Sequence, residues 1–168
     1  QFASYYRGYS AIGPEYTDYG TVASPSTYEG NVSVASLENA QYPEFGMILG
    51  ETFYRYYDAC LDGVHGWKDN FGGPTLEYVI VTDEEGFFST GAAEDFSHAN
   101  VSGKLAVLLR GDLSFEEKVA NAAAAGALGC IVVNNEAGEL YMSISDYEIP
   151  AVGMENSAIM DLAANSSL

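Results

Sequence analysis

Val101–Asn135, VSGKLAVLLRGDLSFEEKVANAAAAGALGCIVVNN, reads as strand, tight turn, helix and strand. Lys104–Leu109 is a short apolar run without helical period, closed by Arg110-Gly111-Asp112, as suits a buried strand that ends in a turn. Ser114 stands three residues before Glu117, a capping box in which each side chain satisfies the other's exposed backbone N–H. Phe115, Val119, Ala122 and Gly126 fall on one helical face, and the small residues Ala122–Ala125 let that helix lie close to a sheet. Gly126 or Gly129 supplies the left-handed residue that ends it. Cys130–Val133 is a second apolar run, rich in β-branched residues and stopped by Asn134-Asn135. The spacing predicts a βαβ unit with a right-handed crossover. Arg110 and Asn134-Asn135 then follow neighbouring parallel strands and should meet at the carboxyl edge, where α/β sheets often bind ligands. Turn formation alone would also explain those residue types.

Outward from this unit, Leu76–Thr82 (LEYVIVT) predicts a strand, Asp83–Gly86 a turn into Phe87-Phe88, and Glu94–His98 one helical turn. Glu136–Glu148 reads as a loop or short strand carrying Tyr141, Met142 and Ile144. Ile149–Gly153 predicts a strand entered through Pro150, which a strand tolerates at its start. Glu155–Ala164 predicts a helix with Ile159, Leu162 and Ala163 inward. Tyr42–Pro74 is the least regular part. It holds an aromatic group, Phe53, Tyr54, Tyr56 and Tyr57 around Arg55, and Gly63, Gly66, Gly72 and Gly73 break any long element. The fold class is therefore α/β: a small, partly parallel β-sheet or open barrel flanked by two helices and containing the βαβ unit.

The run GKLAVLLRGDLSFEEKVANAAAAGALGCIVVNN, followed by Ile149-Pro150-Ala151-Val152-Gly153-Met154, resembles the protease-associated domain over about residues 77–162. In that family the same spaced positions precede a proline-led strand and a last helix. Such domains are insertions or appendages in proteases and sorting receptors, so the resemblance implies contact with proteins rather than chemistry. The segment YGTVASPSTYEGNVSVASLEN, ending near Asn39, resembles the part of subtilisin-like serine proteases that follows the oxyanion-hole asparagine. In cell-envelope proteinases of the lactocepin type a protease-associated domain follows that strand, and the order here is the same. The resemblance divides the chain into residues 1–40, a catalytic-domain fragment, and residues 41–168, a protease-associated domain. It places the family's catalytic Asp and His motifs before this window and the Ser motif after it. The chain then looks excised from a longer protein, without peptidase activity of its own. Implied partners are protein or peptide substrates of the parent protease and the rest of its catalytic domain. The implied location is extracellular or wall-attached, in a Gram-positive bacterium.

The formal charge of −18, from 24 carboxylates against six Lys and Arg in 168 residues, opposes binding to nucleic acid or to an anionic membrane surface. It suits solubility, or attraction of cationic partners. No apolar run approaches membrane-spanning length. His65 and His98 have no metal-ligand spacing and no Cys-x-x-Cys exists, so neither a metal nor a cofactor is expected. Cys130 belongs to a core strand and Cys60 to a polar loop, with nothing to suggest a bridge. Thirteen tyrosines, most of them before Tyr78, suit a protein-contact surface. The candidate binding residues are Tyr54, Tyr57 and Tyr141 for such a surface, and Arg110, Asp112, Asn134 and Asn135 at the carboxyl edge. Arg110-Gly111-Asp112 also spells a tripeptide of some integrin ligands, and a free-standing adhesion module of a bacterial surface protein is the alternative function.

Overall fold

The computed structural model describes residues 45–60, 64–73, 75–145 and 148–166. The fragment 1–40, with its expected strand, lies outside the described residues. Six strands form one mixed sheet: β1 (Gly46–Leu49), β2 (Thr52–Asp58), β3 (Tyr78–Ile80), β4 (Leu105–Leu109), β5 (Gly129–Val133) and β6 (Ala151–Met154), in the order β1-β2-β6-β5-β4-β3. β3, β4, β5 and β6 run parallel to one another, while β2 is antiparallel to both β1 and β6. Among the described residues the helices are α1 (Trp67–Phe71), α2 (Phe115–Ala124) and α3 (Ala158–Asn165), and a 3-10 turn covers Ala93–Ser97. This is the α/β fold with a βαβ unit that the sequence predicts, enlarged by a hairpin and a third, short helix.

The parallel strands are apolar along their whole length because both sheet faces are covered. Alternation sends Ala106, Leu108, Cys130, Val132 and Ala151 to one face, packed with Val119 and Ala122 of α2. Leu105, Val107, Ile131, Val133, Val152 and Met154 go to the other, with Ala158 and Leu162 of α3. α2 starts with the expected capping box: Ser114 Oγ accepts from Glu117 N, and Glu117 Oε2 accepts from Ser114 N at 3.1 Å. Gly126, at φ +83°, takes the left-handed conformation just beyond the helix. It is exposed, so it ends the helix rather than extending the inward face. Gly153 of β6 is required by a close approach, since a Cβ there would stand 2.2 Å from the Leu140 carbonyl oxygen. The 134–145 segment thus lies directly on the sheet.

Several elements differ from expectation. Residues 76–82 pair as a ladder only over Tyr78–Ile80, with Thr82 bridged to Phe88 beyond it. The last strand is Ala151–Met154 rather than Ile149–Gly153: Pro150 has no N–H to give the ladder, and only its carbonyl joins, accepting from Cys130 N at 2.9 Å. In α3, Ala158 and Leu162 are buried one turn apart, whereas Ala163 is exposed. Cys60 is buried, not in a polar loop. The cause is Asp58, whose Oδ1 accepts from Cys60 N at 3.0 Å and whose Oδ2 accepts from Trp67 N at 2.7 Å. One carboxylate therefore turns the chain inward after β2 and caps the first turn of α1. Trp67 is thereby seated against Phe71, with ring centroids 4.9 Å apart.

Candidate functional site

Two places gather the residues singled out by the sequence. At the carboxyl edge, Arg110 N donates to the Val133 carbonyl at 2.8 Å, which brings the ends of β4 and β5 together. Arg110 Nη1 donates to Asn134 Oδ1 at 3.1 Å, so the predicted meeting occurs. Asn134 is 3% exposed, and its Nδ2 donates to the carbonyls of Gly138 at 3.1 Å and Glu139 at 3.4 Å. Its own carbonyl accepts from Asn156 Nδ2 at 2.9 Å. These bonds fold the 135–139 turn back over the strand end, so Asn134 and Arg110 act as scaffold. Asn135 and Asp112 are exposed beside them.

Lys118 went unnoticed in the sequence, where it reads as one more polar helical residue. It is fully buried, and its ammonium donates to the Leu109 carbonyl at 3.1 Å and to the Thr90 carbonyl. Burial pushes its pKa below the ordinary lysine range. It ties α2 to the end of β4 and to the loop after Ser89. The Cys130 thiol, buried close by, is pushed up to about 12 by the same desolvation and is inert as a nucleophile at neutral pH.

The second place is the outer face of β2. Strand alternation separates the aromatic group into two sets. Tyr54 and Tyr56 point into the core, and the Tyr54 hydroxyl donates to Asp161 Oδ2 at 2.9 Å, bracing β2 on α3. Phe53, Arg55 and Tyr57 take the opposite face and meet the 134–145 segment. The rings of Tyr57 and Tyr141 stand 4.3 Å apart at 50°. Arg55 Nη1 donates to Tyr57 Oη at 3.0 Å and forms an ion pair with Glu139 Oε1 at 2.9 Å. Tyr141 Oη donates to Glu139 Oε2 at 2.5 Å. That bond from Tyr141, with further ones from Tyr57 and Arg55, holds the Glu139 carboxyl below its usual range. Reciprocally it raises the Tyr141 phenol above its usual range. Phe53, Arg55, Tyr57, Glu139 and Glu155 line a shallow groove of about 350 Å³ here. Glu139 was not foreseen, and no local signal could have found it, because it meets Arg55 across 84 residues of chain.

A larger groove of about 500 Å³ lies on the other face, lined by Tyr56, Trp67, Phe71 and Tyr78 among others. Among the described residues its lining holds no carboxylate, histidine or thiol. Among the described residues no group of three or more His, Cys, Asp or Glu is disposed to hold a metal ion. No helix among them is long and apolar enough to cross a membrane.

A family model described as "PA domain" matches residues 74–162. A PII-type proteinase of Lacticaseibacillus paracasei is 33% identical over 121 residues, covering 71% of this chain and 6% of that protein. The minor extracellular protease Vpr of Bacillus subtilis is 33% identical over 134 residues, covering 79% of this chain and 15% of that protein. The chain therefore spans only a small part of the relatives it matches. Among solved structures, the zinc aminopeptidase BSAP of Bacillus subtilis superposes with a TM-score of 0.56 at 22% identity, over 73% of this chain and 28% of that one. At that identity the likeness concerns the fold alone.

Proposed function

Since the chain belongs to the PA domain family, we propose that it is the non-catalytic accessory domain of a secreted, subtilisin-like serine protease of the cell-envelope type, and that it steers or gates protein substrates. The observation that carries this reading is the alignment of most of the chain with proteins named as proteinases, of which it covers only a small part. In this reading residues 1–40 belong to the catalytic domain, residues 41–168 form the accessory domain, and the location is extracellular or wall-attached. The geometry agrees with a contact role. The polar groups at the carboxyl edge are spent on the turn that follows β5, whereas the Tyr57–Tyr141 face presents rings and charges outward. Tyrosine and arginine are the residue types enriched where proteins touch. Protein substrates of the parent and the rest of its catalytic domain are the partners this reading names.

The purified chain, incubated with casein and with a chromogenic peptide, should show no cleavage above buffer, with or without a serine-protease inhibitor. Inhibitor-sensitive cleavage by the pure chain would overturn the accessory reading.

A further inference from the structure

We propose that the groove between the outer face of β2 and the 134–145 segment receives an arginine side chain of a partner polypeptide; this rests on the accessory reading and gives its surface a ligand chemistry. The lining holds the carboxylates of Glu139 and Glu155 against the single guanidinium of Arg55, one negative charge in excess. Arg55 is itself a template for what fits: its guanidinium already bridges the Tyr57 hydroxyl and the Glu139 carboxylate. Glu139 is occupied by that pair and by Tyr141, which leaves Glu155. No cation pairs with Glu155 among the described residues. The aromatic wall is built rather than accidental. Gly46 makes room for the Phe53 ring, since a Cβ at Gly46 would lie 2.3 Å from it. The ring thus rests on the β1 backbone, and Phe53 remains 52% exposed. Tyr141, 67% exposed and packed on Tyr57, extends the wall along the 134–145 segment.

A guanidinium suits this wall better than an ammonium. It is planar, more weakly hydrated, stacks on aromatic faces and presents paired donors to a carboxylate. Stacked over Phe53 and Tyr57, an incoming arginine would direct its N–H groups to Glu155. The chain's overall charge of −18 adds a field that draws such a side chain in and repels acidic segments.

The test is an NMR titration of the 168-residue chain with the blocked pentapeptide Gly-Gly-Arg-Gly-Gly. A second peptide carries citrulline, the neutral isostere, in place of arginine. The Phe53, Tyr57 and Tyr141 ring resonances should shift with the arginine peptide, which should bind about tenfold more tightly than the citrulline peptide, as a cation desolvated on an aromatic face requires. Glu155→Gln should remove most of that preference, and Glu84→Gln, in the distant 83–86 turn, should leave it intact. Circular dichroism confirms that both variants fold. Equal binding of the two peptides, an undiminished preference in Glu155→Gln, or shifts confined to other residues would overturn the assignment. Should the arginine peptide fail while deletion of the domain still alters the parent's action on proteins, the groove assignment falls and the accessory reading stands.

Discussion

Asn134, buried at the end of β5, accepts from Arg110 Nη1 at 3.1 Å and in the same position donates to the carbonyls of Gly138 and Glu139. The relationship couples the ends of two parallel strands to the segment that carries Tyr141. It makes one amide responsible for the shape of the whole edge.

Asn134→Ala should therefore cost about 1–3 kcal/mol, the range for leaving buried partners unsatisfied. Urea denaturation measures it, and hydrogen exchange should quicken at residues 136–142 while β4 stays protected. A loss below about 0.5 kcal/mol would show that the edge holds without its amide.

Lys118 gives a pH signature whose sign is fixed by its environment. Burial lowers its pKa in the fold below the 10.5 of the unfolded chain. Between those two values the unfolded chain binds more protons, so this residue's contribution to stability rises with pH. Below the folded value the penalty for burying the charge is present in full. The stability difference between the native chain and Lys118→Met should thus shift in favour of the native chain as pH climbs towards 10.5, and be flat at lower pH. A difference that falls over that interval would contradict the buried, desolvated ammonium.

The Tyr141 phenol is raised first by its hydrogen bond to the Glu139 carboxylate. Ultraviolet titration of Glu139→Gln should move the Tyr141 phenol back towards the ordinary value of 10.0. Tyr141→Phe should delete that same transition. An unchanged titration curve in Glu139→Gln would mean that the two groups are not joined in solution.

The central unit was legible because its signals are local. The Ser114/Glu117 box, the unbroken apolar run of Leu105–Leu109 and the glycine at 126 each act within a few residues, and together they determine one βαβ unit. The meeting of Arg110 with Asn134 followed from that topology. The hairpin and α1 were not legible. They depend on Asp58 reaching Trp67 nine residues on, and on β2 finding β6, almost a hundred residues later. The aromatic group was visible in composition, but its division into a buried pair and an outward pair needs the strand register. Glu139 and Glu155 become partners of that face only when the 134–145 segment lies down on Gly153 and β6 ends beside β2.

The accessory role is tested most directly on the parent protease with and without residues 41–168. Cleavage of a basic protein, an acidic protein and a short chromogenic peptide should be compared at low salt and at high salt. A surface that steers proteins by charge acts over about one Debye length, roughly 8 Å at physiological ionic strength. Deletion should leave the short peptide's kcat/KM within about twofold, and should lower the basic-to-acidic protein ratio at low salt, with the difference shrinking as salt screens it. A ratio and salt dependence unchanged by the deletion would contradict the claim that this domain selects substrates.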